Sequence, residues 1–193
     1  MLRTWYGAGL VAGITVFLWG GLAHMVLGLG GESTFKTVPN ETITALGASL
    51  KQPGLYVFPY STDMNETAKL VMTNPQGILI FTPAGSALNM GSLLGVQAIS
   101  DFLACLVMAW IFSMALPRLQ TFISRVGFVM ALGLFSALTA ELPYWNWYRF
   151  PTDFTAFGVV FKLSAALLAG VVLASLMGRP AAELVPVRKT AVA

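Results

Sequence analysis

Charge is scarce in this chain. It has 11 Lys or Arg and 8 Asp or Glu among 193 residues, a charged fraction of 10%, where ordinary soluble domains carry roughly 25%. So little charge argues against a soluble all-helical core, and the net +3 is too small and too scattered to mark a nucleic-acid surface. Cysteine and histidine are scarcer. A lone Cys105 excludes an intrachain disulfide and a CxxC redox pair. A lone His24 excludes a zinc triad and, within one chain, a haem held by paired histidines. No HExxH, Walker A, G-x-S-x-G or dinucleotide fingerprint is present, and Gly28-Leu29-Gly30-Gly31 has the context of a helix end. Familiar enzyme classes are therefore argued against, although an unfamiliar membrane enzyme stays open. No cofactor and no metal site are assigned. Met25 and Met90 near the level of His24 could suggest a soft-metal site, but methionine in so apolar a chain is read as packing.

Apolar length is what the chain has in abundance: 56% of residues are hydrophobic and the mean hydropathy is +0.75. Four runs, Gly7–Leu29, Leu93–Leu116, Phe122–Leu142 and Phe154–Met177, are each long enough at about 1.5 Å per residue to cross a hydrocarbon core of about 30 Å. The expected fold is an all-α integral membrane protein: one membrane domain over residues 1–193, a bundle of four transmembrane helices, with an extracytoplasmic α/β insert at 30–89 between the first two. The first run exceeds the length of a signal-peptide core and lacks a clean cleavage pattern, so it is read as a retained helix.

Helix limits follow from local chemistry. Glycines 28, 30 and 31 stop the first helix, Pro117 and Pro143 are expected to end the second and third, and Thr152 or Asp153 to cap the fourth. In the insert, Pro39–Leu50 reads as a short helix, and Leu55–Pro59 and Ile78–Thr82 as strands. Asp63 with Glu66 forms a capping-box-like start to a helix reaching about Met72. Two strands cannot support a core alone, so the insert is expected to rest on the outer ends of the four helices. Asn40-Glu41-Thr42 and Asn65-Glu66-Thr67 are sequons by pattern and are read as helix-cap vocabulary in a bacterial chain. The layout resembles the claudins in topology alone; their Trp-Gly-Leu-Trp and paired-cysteine pattern is missing, and no family follows.

Orientation is read from arginine. Arg3, Arg118, Arg125, Arg179, Arg188 and Lys189 lie in or beside the tails and the short second loop, which places both termini in the cytoplasm and the insert outside a bacterial inner membrane. Trp5 and Tyr6 form one interfacial belt. Tyr144, Trp145, Trp147 and Tyr148 form the opposite one.

Ionisable residues within the spans carry the functional expectation, since an unpartnered charge in hydrocarbon costs several kcal/mol. Asp101 and Lys162 both fall about 12 Å from the outer boundary of their helices, and His24 about 8 Å. Glu141 lies near the outer end of the third run, and Gln97 one turn above Asp101. His24, Gln97, Asp101, Glu141 and Lys162 are thus a candidate buried polar cluster, or ligand or ion site, with an Asp101–Lys162 ion pair expected at its centre. Two functions compete: an accessory or scaffold subunit of a membrane protein complex, with the lipid bilayer and a membrane partner or second copy as its company; or a transporter or channel for protons, ions or small polar solutes that uses the cluster.

Overall fold

The computed structural model describes residues 4–29 and 32–178. Four helices dominate: α1 (Trp5–Met25), α4 (Met90–Ala115), α5 (Phe122–Tyr148) and α6 (Thr152–Met177). All four are long and apolar enough to span a membrane. Between α1 and α4 lie α2 (Asn40–Ser49), strand β1 (Gly54–Phe58), α3 (Met64–Thr73) and strand β2 (Gly77–Phe81). The protein is a multi-pass membrane protein with an α/β insert after its first span.

Local chemistry sets most of the boundaries. Thr4, Asn89 and Thr121 each accept a hydrogen bond from an amide in the first turn of α1, α4 and α5, and Thr121 forms a reciprocal capping box with Ser124. α1 ends at Met25, earlier than the glycine cluster implies; Gly28, at φ +64°, occupies the left-handed turn just beyond it. Pro143 does not end α5, which continues to Tyr148. A proline removes a single N–H and crowds a single preceding carbonyl, and the turn beyond it is held by Tyr144 packing on Tyr148. The helix stops at Arg149, whose φ of 57° breaks the ladder. Neither Thr152 nor Asp153 caps α6: its N-cap is Pro151, Thr152 Oγ1 accepts from Trp145 Nε1 at 3.1 Å, and Asp153 accepts from the Phe154 amide at 2.9 Å.

The helices pack in the order α4, α1, α6, α5, with α5 on α6 and α1 between α4 and α6; α4 barely meets α5 or α6. The core sits toward the terminal side of the bundle. Ala8 and Ala12 of α1 meet Cys105, Ala109 and Phe112 of α4, Val129 of α5 and Leu173 of α6. Small residues bring α1 and α4 together, because a Cβ on Gly13 would lie 2.6 Å from Phe102 Cδ1 and 3.1 Å from its Cα. Toward the insert side this core gives out, and residues 90 to 97 of α4 are all exposed.

The insert has the expected elements. β1 and β2 pair antiparallel, with Leu55 opposite Ile80 and Val57 opposite Ile78. Asp63 caps α3 by accepting from the Asn65 amide at 2.8 Å, but Glu66 accepts from Ser61 Oγ at 2.6 Å and does not close a capping box. No residue of α2 or α3 is buried. The insert's principal contact with the bundle is the short turn Glu32–Thr34 against α6, so it leans on the α5–α6 end and does not cap all four helices evenly.

Candidate functional site

α5 and α6 meet along two stripes of spacing four, the ridge spacing of i±4n packing. On α5 the stripe is Arg125, Val129, Gly133, Ala137 and Glu141; the first four are buried. On α6 it is Gly158, Lys162, Ala166, Gly170 and Ala174. The helices run antiparallel in register: a Cβ on Gly133 would collide with Ala166, one on Gly170 would lie 3.2 Å from Val129 Cβ, and one on Gly158 would lie 2.8 Å from the Glu141 carboxyl carbon.

That last close approach decides the pairing of the lysine. The missing side chain at Gly158, one turn from Lys162, leaves a slot for the Glu141 carboxylate, and Lys162 Nζ donates to Glu141 Oε1. The side chains are 30% and 16% exposed. The expected Asp101–Lys162 pair is therefore not the one formed. Both residues sit at matching depth, but α4 hardly touches α6, while α5 packs along its whole length.

Asp101 pairs within its own helix: Gln97 Nε2 donates to Asp101 Oδ1 at 2.9 Å. Gln97 is exposed and Asp101 half-buried. His24 lies at the insert end of α1 with its ring 5.0 Å from that of Phe161, edge to face. One turn toward the terminal side, Trp19 Nε1 donates to Ser164 Oγ at 3.0 Å and ties α1 to α6. The structure thus brings Glu141 and Lys162 together, sets His24 beside their neighbour Phe161, and leaves Gln97 and Asp101 apart on α4. Among the described residues no group of three or more His, Cys, Asp or Glu side chains is arranged to hold a metal ion.

Arg125 was not singled out by sequence beyond its charge. It is 8% exposed, its Nε donates to the Leu119 carbonyl at 3.1 Å, and a Cβ on Gly178 would lie 3.2 Å from its Cζ. The guanidinium therefore occupies the C-terminal end of α6, where the helix dipole favours a cation. Its place at the head of the spacing-four series through Glu141 was the available signal.

Residues 144 to 148, aromatic except for Asn146, form the last turn of α5. Tyr144 packs on Tyr148 at 5.6 Å and on Phe150 at 5.4 Å, and Phe150 continues to Phe154 at 5.7 Å and Phe154 to Phe35 at 5.9 Å. This ladder of rings joins the α5–α6 turn to the insert, and its Phe35, Tyr148, Phe150 and Phe154 line a cleft of about 610 Å³.

Comparison with family models, curated proteins and solved structures finds no match for the chain. The class is defined by the fold: a multi-pass integral membrane protein of four apolar helices with an α/β insert.

Proposed function

We propose that the protein is a small accessory or scaffold subunit of a membrane protein complex, and that the insert-side half of α4 is where a partner helix docks. The observation that carries this reading is the Gln97–Asp101 pair. Asp101 lies 11 residues into α4, about 16 Å along the helix axis and so near mid-membrane. The two side chains satisfy one hydrogen bond between them; Asp101 is half-buried beside the α1 contact at Phe102 and Cys105, while Gln97, one turn toward the insert, is exposed where α4 has no buried residue. Polar groups at this depth are stable when another helix supplies partners, and they act as glue between helices. The insert agrees with this reading, since Leu55 and Ile80, directly opposite one another, are 66% and 80% exposed. The occupant of the α4 face is a second copy or another membrane subunit.

Mass analysis of the full chain in mild detergent and in lipid nanodiscs tests the reading. A stable complex that dissociates when Gln97 and Asp101 are both replaced by Leu supports it. A strict monomer whose stability is unchanged by Asp101→Leu refutes it, and loss of solute flux in Asp101→Asn with assembly intact would favour transport instead. We also infer that both termini face the cytoplasm of a bacterial inner membrane, because Arg118 and Arg125 flank the short α4–α5 link. Cysteines placed at Asn65 and Arg188 should label from opposite sides, and labelling of position 65 from the cytoplasm would overturn this orientation.

A further inference from the structure

The cleft between the insert and the α5–α6 turn has a composition that the scaffold reading does not use. One wall is Thr34, Phe35 and Lys36. Another comes from β1 and α3, including Val57 and Thr67. The third is the end of α5 and start of α6, from Trp147 through Arg149 and Phe150 to Phe154. Its volume of about 610 Å³ is within the range of small-molecule sites.

Two features of its chemistry point the same way. Lys36 and Arg149 are its charged residues, no acid lines it, and neither side chain has an ion pair or hydrogen bond among the described residues. Beside these cations the ring ladder Phe35, Phe154 and Phe150 supplies a continuous apolar surface. A site for a free inorganic anion would surround it with donors, and a site for an apolar molecule would not hold two unpaired cations; this combination suits a molecule with a negative head and an apolar body. Its location agrees. Trp147 and Tyr148 line the cleft, and such residues settle at the headgroup level of a bilayer, so the cleft opens where lipid headgroups are.

We propose that this cleft holds the headgroup and upper chain of an anionic lipid, with Lys36 and Arg149 on the charge and Phe35, Phe150 and Phe154 along the apolar part. Each cation near an anionic membrane surface strengthens attraction about fivefold, so the two together account for a preference of about twenty-fivefold over a zwitterionic lipid of the same chains.

The test is lipid retention by the full chain in maltoside micelles, read by native mass spectrometry with phosphatidylglycerol and phosphatidylcholine of matched chains in competition. Lys36→Gln and Arg149→Gly remove the charges, and glycine at 149 keeps the left-handed turn. Preferential retention of phosphatidylglycerol that falls to parity in the double variant, with helix content and melting unchanged or improved, supports the site. Equal retention of both lipids by the native chain, or a preference that survives in the double variant, overturns it. Displacement of the lipid by equimolar glycerol phosphate would overturn the amphiphile and leave a plain anion site.

Discussion

Breaking the Glu141–Lys162 pair should leave one charge without its partner inside the membrane. Lys162 lies ten residues into α6, about 15 Å from its start, so its exposed 30% faces hydrocarbon more than water. Removing one member of a buried ion pair costs about 3–5 kcal/mol in soluble proteins. Interhelical polar contacts in membranes average only about 0.6 kcal/mol, because the unfolded state in the membrane also finds partners. An ion pair between two well-packed helices falls between those limits. Glu141→Gln and Lys162→Met should each destabilise by about 2 kcal/mol and the double variant Glu141→Gln/Lys162→Met by about 1 kcal/mol, a coupling of about 3 kcal/mol.

Titration of the fold with SDS in mixed micelles, followed by far-UV circular dichroism, would measure these differences. Gly158 sharpens the test. A Cβ there would lie 2.8 Å from the Glu141 carboxyl carbon, so Gly158→Ala should destabilise the native chain by about 1–2 kcal/mol and be nearly silent in a Glu141→Ala background, where the slot is empty. Additive single substitutions, a Glu141→Gln cost below about 0.5 kcal/mol, or equal effects of Gly158→Ala in both backgrounds would refute the reasoning.

Three other outcomes follow from particular contacts. Ser164→Ala removes the acceptor of the Trp19 indole and should cost about 0.6 kcal/mol with a shift in tryptophan emission; no change in either would remove this link between α1 and α6. Arg149→Gly should raise stability by about 1 kcal/mol by relieving a non-glycine residue at φ 57°, and a lower melting temperature would count against it. Gly133→Leu should separate α5 from α6 by driving a side chain into Ala166 and cost about 3 kcal/mol, read as loss of the folded fraction in the same SDS titration.

Depth was legible in the sequence and adjacency was not. Four spans and the insert's alternation of helix and strand follow from apolar length, proline, glycine and caps, all of them local signals. Asp101 and Lys162 also share a depth, which is a local property of each helix. Whether they meet depends on which helices pack, and that is decided by small residues distributed over two spans: Gly133 and Ala137 on α5 against Ala166 and Gly170 on α6. The series from Arg125 to Glu141 at every fourth residue held this information, but only when read together with the matching series from Gly158. Pro143 was misread for a different reason. Its rule as a helix end rests on one lost N–H and one crowded carbonyl, and here the turn beyond it is held by ring packing of Tyr144 on Tyr148 and Phe150, which no local signal at Pro143 announces.

The uneven closure of the bundle also has a physical basis. In water, the exposed apolar surface of α4 would drive collapse onto α5; in lipid it has no such drive, because hydrocarbon chains solvate Leu93, Leu94 and Val96 as well as another helix would. Apolar exposure along α4 therefore says nothing about a partner. Polar exposure does, and on α4 the exposed Gln97 and the half-buried Asp101 provide it at mid-membrane depth. By contrast the α5–α6 pair consumes its own polar groups, with Arg125 at one end and Glu141 with Lys162 toward the other. Among the described residues the chain thus has one helix pair whose polar groups meet each other and one helix, α4, whose Gln97 and Asp101 bond only to one another. With the docking proposed for α4, substitutions on the α5–α6 stripe are expected to change folding in any environment, whereas Asp101→Leu should change behaviour only where a partner helix is bound.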